Sequence, residues 1–485
     1  MPTKNKNQSK KENKENGEDA GFTLDDANGN GSVGAAAGGG EFTGRYLVLL
    51  EDGKTSNAVK SLEDDAGLSV ATSSDYKDDS AWTGFLSDDS QALVFEELGV
   101  AVVEAPPDQI NAIGASIASE GSSIATYEPE RYVYAFQDFA VQRAVEMGGA
   151  SAIDLDYIQG YRDAVNELAS KILGESGSSA AEGASEPMEV FNEGQFTWGL
   201  QATKAAQSSF TGRGVRVAVL DTGMDLQHPD FIGRTVKSQS FVPGQAVQDG
   251  HGHGTHCIGT SCGSRGPRNP NQLPRYGVAY EAEIYAGKVL SNSGGGSDGG
   301  ILNGINWAVA NRCAIVSMSL GARVSSPNQP FSAIYEQAAQ RALLAGTLII
   351  AAAGNDSNRP SVIWAVSHPA NCPSIMAVGA IDAQLGTNLP KKVASFSNAG
   401  LNPQGGQVDI AGPGRAIRSS WLRPQLYNTI SGTSMATPHV AGIAALFAQA
   451  FPTQRGRALA GLLLSRALRL PLPSRDVGAG MVQAP

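Results

Sequence analysis

Ser434 lies in Gly432-Thr433-Ser434-Met435-Ala436-Thr437-Pro438, directly ahead of the apolar run HVAGIAALFAQAF. A serine hydroxyl attacks at neutral pH only where a positioned base removes its proton, and a helix start beside it favours the negative charge that develops. The candidate base is His253 in HGHGTHC, whose flanking glycines let the backbone approach closely. Asn355 follows Ala353-Gly354 at the end of the run TLIIAAA, where an amide is placed to donate to an oxyanion. Asp221 closes VRVAVLD and precedes Thr222-Gly223. Each residue also has a plainer use: aspartate and asparagine form turns after strands, and serine caps helix N-termini. What favours chemistry is their joint occurrence in the order Asp, His, Asn, Ser, each at a strand end or a helix start.

His251, His253 and His256 fall within six residues and are half of the six histidines in the chain, which first suggests a metal. The HxHxxH spacing matches neither a structural zinc pattern nor HExxH. The cluster is read as holding a general base rather than zinc.

The elements that must position these residues are RVAVLD, EIYAGKVL, AIVSMSL, TLIIAAAG and SIMAVGA, separated by the helix-like ILNGINWAVANRC, SAIYEQAAQRALLAG and TPHVAGIAALFAQAF. Strands that are apolar throughout and alternate with helices predict a doubly wound parallel α/β sheet covered on both faces, here over residues 196–485. Chemistry in such sheets gathers outside the carboxyl ends of the strands, where Asp221 and Asn355 fall. Upstream, residues 43–139 alternate strand-like and helix-like runs (YLVLLE, NAVKSLEDDAGL, ALVFEELGVAVVEAP, DQINAIGASIAS, IATYEPERYVYAF) and form a small α+β unit. Residues 140–195 pass from the helical YIQGYRDAVNELASKILG into ESGSSAAEGASEP, a linker composition that proteases cut readily. Residues 1–42 are polar and then glycine-rich, and read as a disordered arm.

Composition bounds the function. With 485 residues, 58 glycines and 17 % charged residues the chain suits a globular α/β enzyme with many tight turns. A net charge of −11 argues against a nucleic-acid partner, which would need a basic stripe. The first twenty residues lack the apolar core of a secretory signal, and no run approaches the ~20 apolar residues of a membrane span. Secreted and cytoplasmic locations both stay open. Cys257, Cys262, Cys313 and Cys372 form no CxxC pair; one or two disulfides stay open at this length, and buried free thiols are the plainer reading.

VAVLDTGMDLQHPDF, DGHGHGTHCIGT, VSMSLG, AAAGND and ISGTSMATPHVAG together resemble the signature segments of the subtilisin family of serine endopeptidases, over about residues 196–485. The TWGLQATKA start and the cysteine in HGTHC are similar to the proteinase K branch. The resemblance implies a subtilisin-type fold and a catalytic triad of Asp221, His253 and Ser434. His253 would relay the proton, Asp221 would hold the imidazole, and Asn355 with the Ser434 N–H would form the oxyanion hole. It further implies that Gly294, Gly295 and Gly296 on one side, and Ser319, Leu320 and Gly321 on the other, are edges between which a peptide adds as a strand. Ala352 and Gly354 would line a roomy apolar pocket, giving a broad, apolar-preferring specificity for protein or peptide substrates.

Calcium is expected by the same resemblance at Asp409 with the carbonyls of Pro373 and Ile375, and less readily at Asp230, because GSRGPRNPNQLPRYGVA departs from the family's calcium loop. The unit at 43–139 is similar to the family's ferredoxin-like propeptide. The chain is then an autoprocessed zymogen inhibited by its own propeptide, cut within about 174–197 and monomeric after processing. An inert binding protein on this fold, and an esterase or acyl-transfer hydrolase using the same triad, are the alternatives.

Overall fold

The computed structural model describes residues 42–76, 85, 90–136, 191–267, 274–326, 328–383, 392–402 and 404–485. The arm expected over 1–42 lies outside the described residues except for Phe42, which opens a strand, and the helical stretch and linker expected over 140–195 lies outside them except for 191–195.

The first unit runs β1 (Phe42–Leu50), α1 (Thr55–Asp64), β2 (Val70–Thr72), β3 (Ala92–Phe95), β4 (Val100–Val103), α2 (Pro107–Ile117) and β5 (Ile124–Ala135). Its strands stand in the order β5-β1-β4-β3-β2. β1 is antiparallel to both β4 and β5, and β3 to β4, which is a split βαβ arrangement. The three-residue β2 adds a parallel edge to β3 that its length hid in the sequence. Successive side chains of a strand point to opposite faces, so β1 serves two cores. Val48 and Leu50 pack with Leu62 of α1 and Ile110 and Ile113 of α2. Leu47 and Leu49, with Leu93, Phe95 and Val102, are buried with residues of the larger unit.

That larger unit is built on β6 (Arg216–Asp221), β7 (Val236–Ser240), β8 (Glu283–Lys288), β10 (Ile315–Met318), β12 (Leu348–Ala352), β13 (Met376–Asp382), β14 (Lys392–Val393) and β15 (Ile410–Pro413). The sheet order is β14-β13-β12-β10-β6-β8-β7, with β15 also pairing β13. Every pair is parallel except β13 with β14. The helices placed against it are α3 (Trp198–Ala202), α4 (His253–Cys262), α5 (Asp298–Ala310), α6 (Ala333–Leu344), α7 (Thr433–Ala450) and α8 (Arg457–Arg466). Ile301 and Ile305 of α5 and Ile334 and Ala338 of α6 cover one face together with the sheet of the first unit. Val440, Ala444 and Phe447 of α7 lie in the core of the other. The chain leaves β6 toward β7 and β8 on one side and later returns to its other side at β10. That reversal opens a crevice at the carboxyl end of β6, where Asp221 stands.

No helix among the described residues is long and apolar enough to cross a membrane. All four cysteines are buried free thiols.

Candidate active site

Asp221 ends β6 and His253 begins α4; their Oδ1 and Nδ1 atoms lie 2.8 Å apart. The helix starts at the histidine itself, and Asp249 and Thr222 satisfy N–H groups of its first turn and of the residues leading into it from outside. Asp249 Oδ1 accepts from the N–H groups of His251 and Gly252, and Oδ2 from the N–H and hydroxyl of Thr255. Thr222 ties this cap to β6: its hydroxyl donates to Asp249 Oδ1 (3.0 Å) and accepts from the Gly254 N–H (2.8 Å). Gly252 has φ +100°, and a Cβ there would fall 2.5 Å from the Trp421 ring. Sequence reasoning missed Asp249 and Thr222; the signal was an aspartate four residues before His253.

Burial alone would discharge His253, yet the Asp221 carboxylate beside it raises its pKa well above the ordinary histidine value. Burial likewise opposes ionisation of Asp221, but the imidazole and the Thr222 N–H hold its pKa down. The pair therefore favours imidazolium facing carboxylate, the state reached when His253 takes a proton. Cys257 Sγ sits 3.8 Å from His253 Nδ1, and burial pushes its thiol up to about 11, so it stands there neutral. Burial pushes His256 down to about 3, and its Nε2 meets the Ile417 carbonyl. Among the described residues, the group with ligand atoms close enough for one metal is Asp221, His253 and Cys257, which leaves out His251 and His256.

Ser434 is the second residue of α7 and fully buried. Four residues on, Pro438 has no N–H to give the Ser434 carbonyl. That carbonyl accepts instead from Ser319 Oγ (2.8 Å) and Cys257 Sγ (3.5 Å), which anchors Ser434 from two sides. Asn355 stands beyond β12 after Gly354, whose φ is +108°. Its Oδ1 accepts from the N–H and hydroxyl of Thr433, fixing the amide so that Nδ2 faces the crevice.

The atom facing those donors belongs to the chain itself. The Phe136 carbonyl oxygen lies 3.0 Å from Ser434 Oγ and 3.3 Å from Asn355 Nδ2. The serine hydroxyl also lies 3.3 Å from the Ser319 carbonyl, and His253 Nε2 has no hydrogen-bond partner among the described residues. Behind Phe136, β5 fills the slot between β9 (Gly295–Ser297) and β11 (Leu320–Gly321), antiparallel to both. Val133 faces Gly296, Tyr134 faces Gly295 and Gly321, Ala135 faces Leu320, and the Ala135 N–H donates to Gly294 O. The Phe136 side chain is buried, and a Cβ on Gly321 would fall 2.6 Å from its ring. Ala352 is buried at the end of β12. A Cβ on Gly354 would strike Asn398 and Ser367. Asp356 Oδ2 is engaged by these same two residues.

Of the expected calcium residues, Asp409, Pro373 and Ile375 lie near one another and Asp230 lies elsewhere. Asp409 precedes β15, exchanging its N–H and Oδ2 with the carbonyl and N–H of Ala377, two residues after Ile375. Burial pushes its carboxyl up to about 6, with no ion-pair partner among the described residues. Pro373 and Ile375 lead into β13 beside it. Asp230, far along the chain, accepts from the phenols of both Tyr276 and Tyr427.

The Subtilase family model matches residues 212–480, more than half of the chain, so the chain belongs to the subtilase family. It is 40 % identical over 291 residues to Subtilisin Savinase of Lederbergia lenta, covering 59 % of this chain and 96 % of that protein. It is 38 % identical over 256 residues to Subtilisin E of Bacillus subtilis (strain 168) and 42 % over 260 to M-protease of Shouchella clausii (strain KSM-K16). These matches span 52 % and 53 % of this chain and 60 % of either relative's length. Among solved structures, Sphericase superposes with a TM-score of 0.50 at 30 % identity, over 60 % of this chain and 98 % of that one.

Proposed function

We propose that the chain is a serine endopeptidase of broad, apolar-preferring specificity, made as a zymogen that cuts itself after Phe136. The observation that carries this reading is the Phe136 carbonyl oxygen within reach of both Ser434 Oγ and Asn355 Nδ2. Ser434 Oγ attacks the Phe136 carbonyl carbon as its proton passes to His253 Nε2, and Asn355 Nδ2 donates to the oxyanion. Collapse returns that proton to the amine of Gln137, which leaves. Water then attacks the acyl-enzyme, again through His253, and frees the Phe136 carboxylate. The cut falls upstream of the 174–197 interval that linker composition suggests.

Residues 42–136 then act as the intramolecular inhibitor, with protein or peptide substrates taking the place of β5 after release. The buried Phe136 supports an aromatic or large apolar residue before the cut. Val133, buried with Leu290, Ile301 and Leu320, supports an aliphatic residue four places back. Calcium, when bound, would hold the starts of β13 and β15 together through Asp409 and the carbonyls of Pro373 and Ile375. The ion would supply the counter-charge that a carboxyl raised to about 6 calls for.

The test is to treat the activated protein with an aryl sulfonyl fluoride and map the adduct. Loss of hydrolysis of a denatured protein together with labelling at Ser434 is expected. Persisting hydrolysis after full labelling, or equal rates in Ser434→Ala, would overturn the reading.

A further inference from the structure

β5 continues upstream of its pairing with β9 to Arg131, the sixth residue counted back from the proposed cut. There the Arg131 N–H donates to Asp298 Oδ2 at 3.1 Å, and its guanidinium Nη1 lies 3.9 Å from the same oxygen. Asp298 is the first residue of α5, and its side chain is 0 % exposed. Its remaining contacts are all within the larger unit. Its Oδ1 lies 2.9 Å from His368 Nε2, and its main-chain carbonyl accepts from Tyr335 OH at 3.0 Å. The Tyr335 ring packs edge-on against His368 with centroids 4.7 Å apart. One carboxylate oxygen is thus fixed by the enzyme's own histidine while the other faces the peptide.

We infer that Asp298, oriented by His368, forms a remote subsite that selects an arginine or lysine side chain six residues before the scissile bond. The inference rests on the endopeptidase reading above. Among the described residues, the other anion within 4 Å of Arg131 is Glu128 Oε1 at 3.8 Å, which belongs to β5 and departs with it. Among the described residues of the larger unit, Asp298 is then the anion that a bound substrate meets at this position. A buried carboxylate that already accepts the peptide N–H gains an ion pair from a cationic side chain and suffers repulsion from an acidic one. The apolar contacts nearer the cut are unchanged by that choice, so the subsite adds selectivity without replacing the apolar preference.

The experiment uses enzyme activated from the full chain and a peptide series with phenylalanine before the cut and valine four places back. The sixth position is arginine, alanine or glutamate, and a control peptide has only four residues before the cut. Expected is kcat/KM falling from arginine to alanine by roughly ten-fold, the worth of one close ion pair to a buried carboxylate, and further to glutamate. In Asp298→Asn the arginine-to-alanine ratio collapses toward one. The ratio is internal to each enzyme, and the wild-type series decides the matter alone if the variant does not fold. Equal kcat/KM across the three peptides, with the four-residue control still cut, overturns the subsite and leaves the endopeptidase reading standing. Failure to cut any peptide, the control included, removes both.

Discussion

Ser434 Oγ lies 3.0 Å from the carbonyl oxygen of Phe136, a residue 298 positions earlier in the chain. The contact follows from how two sequence-distant features meet. α7 starts at Thr433 and presents the hydroxyl at its N-terminus. β5, paired on both edges, delivers one particular carbonyl to it.

Asn355→Ala removes the side-chain donor to that carbonyl. We expect kcat to drop by roughly 10²–10³, a size known from the same kind of donor in subtilisin, with KM little changed. Steady-state kinetics on a peptide substrate check this; a matching rise in KM would assign Asn355 to ground-state binding.

Self-cleavage needs a neutral imidazole, and His253 is held protonated to a pH well above its ordinary 6.5. The first-turnover rate is expected to climb as pH rises through a midpoint above 6.5 and to be small below it. The raised pKa also means that the stability this pair contributes is full below pH 6.5 and is lost as pH rises through the folded value. A single-turnover pH profile with its midpoint at or below 6.5 would contradict the assignment.

Arg341 grips the first unit from α6. Its guanidinium donates to the carbonyls of Leu50, Leu98 and Gly99 and pairs with Asp52. Arg341→Ala loses several charged hydrogen bonds to the cut fragment and touches nothing in the triad. The lag between cleavage and onset of activity should shorten by about ten-fold. An unchanged lag would show that apolar packing alone holds the fragment.

Asp409 carries a carboxyl raised to about 6. Without a cation, stability is present while it is protonated and is lost as pH rises from about 4 through 6, on the order of 3 kcal/mol. Calcium should cancel that loss, and Asp409→Asn should abolish both the pH slope and the calcium effect in thermal melts. A calcium effect that survives in Asp409→Asn places the ion elsewhere.

The parallel sheet was legible because its strands are buried on both faces and so read as unbroken apolar runs. The positions of Asp221, His253, Asn355 and Ser434 were legible because motif, order and strand-end placement coincide. What the sequence hid was decided by contacts between distant segments. The start of α4 at His253 depends on Asp249, a side chain outside the helix. The role of Pro438 appears only once Ser319 and Cys257 are seen to take up the carbonyl it frees. Composition points to a cut within 174–197, whereas the carbonyl that enters the site is set by the pairing of β5 with β9 and β11.

The most direct test of the account is intact-mass analysis of purified full-length chain during incubation. A fragment ending at Phe136 and its complement beginning at Gln137 are expected as the first products, both absent in Ser434→Ala. A chain that stays whole, or whose first cut falls elsewhere, such as within 174–197, would contradict it.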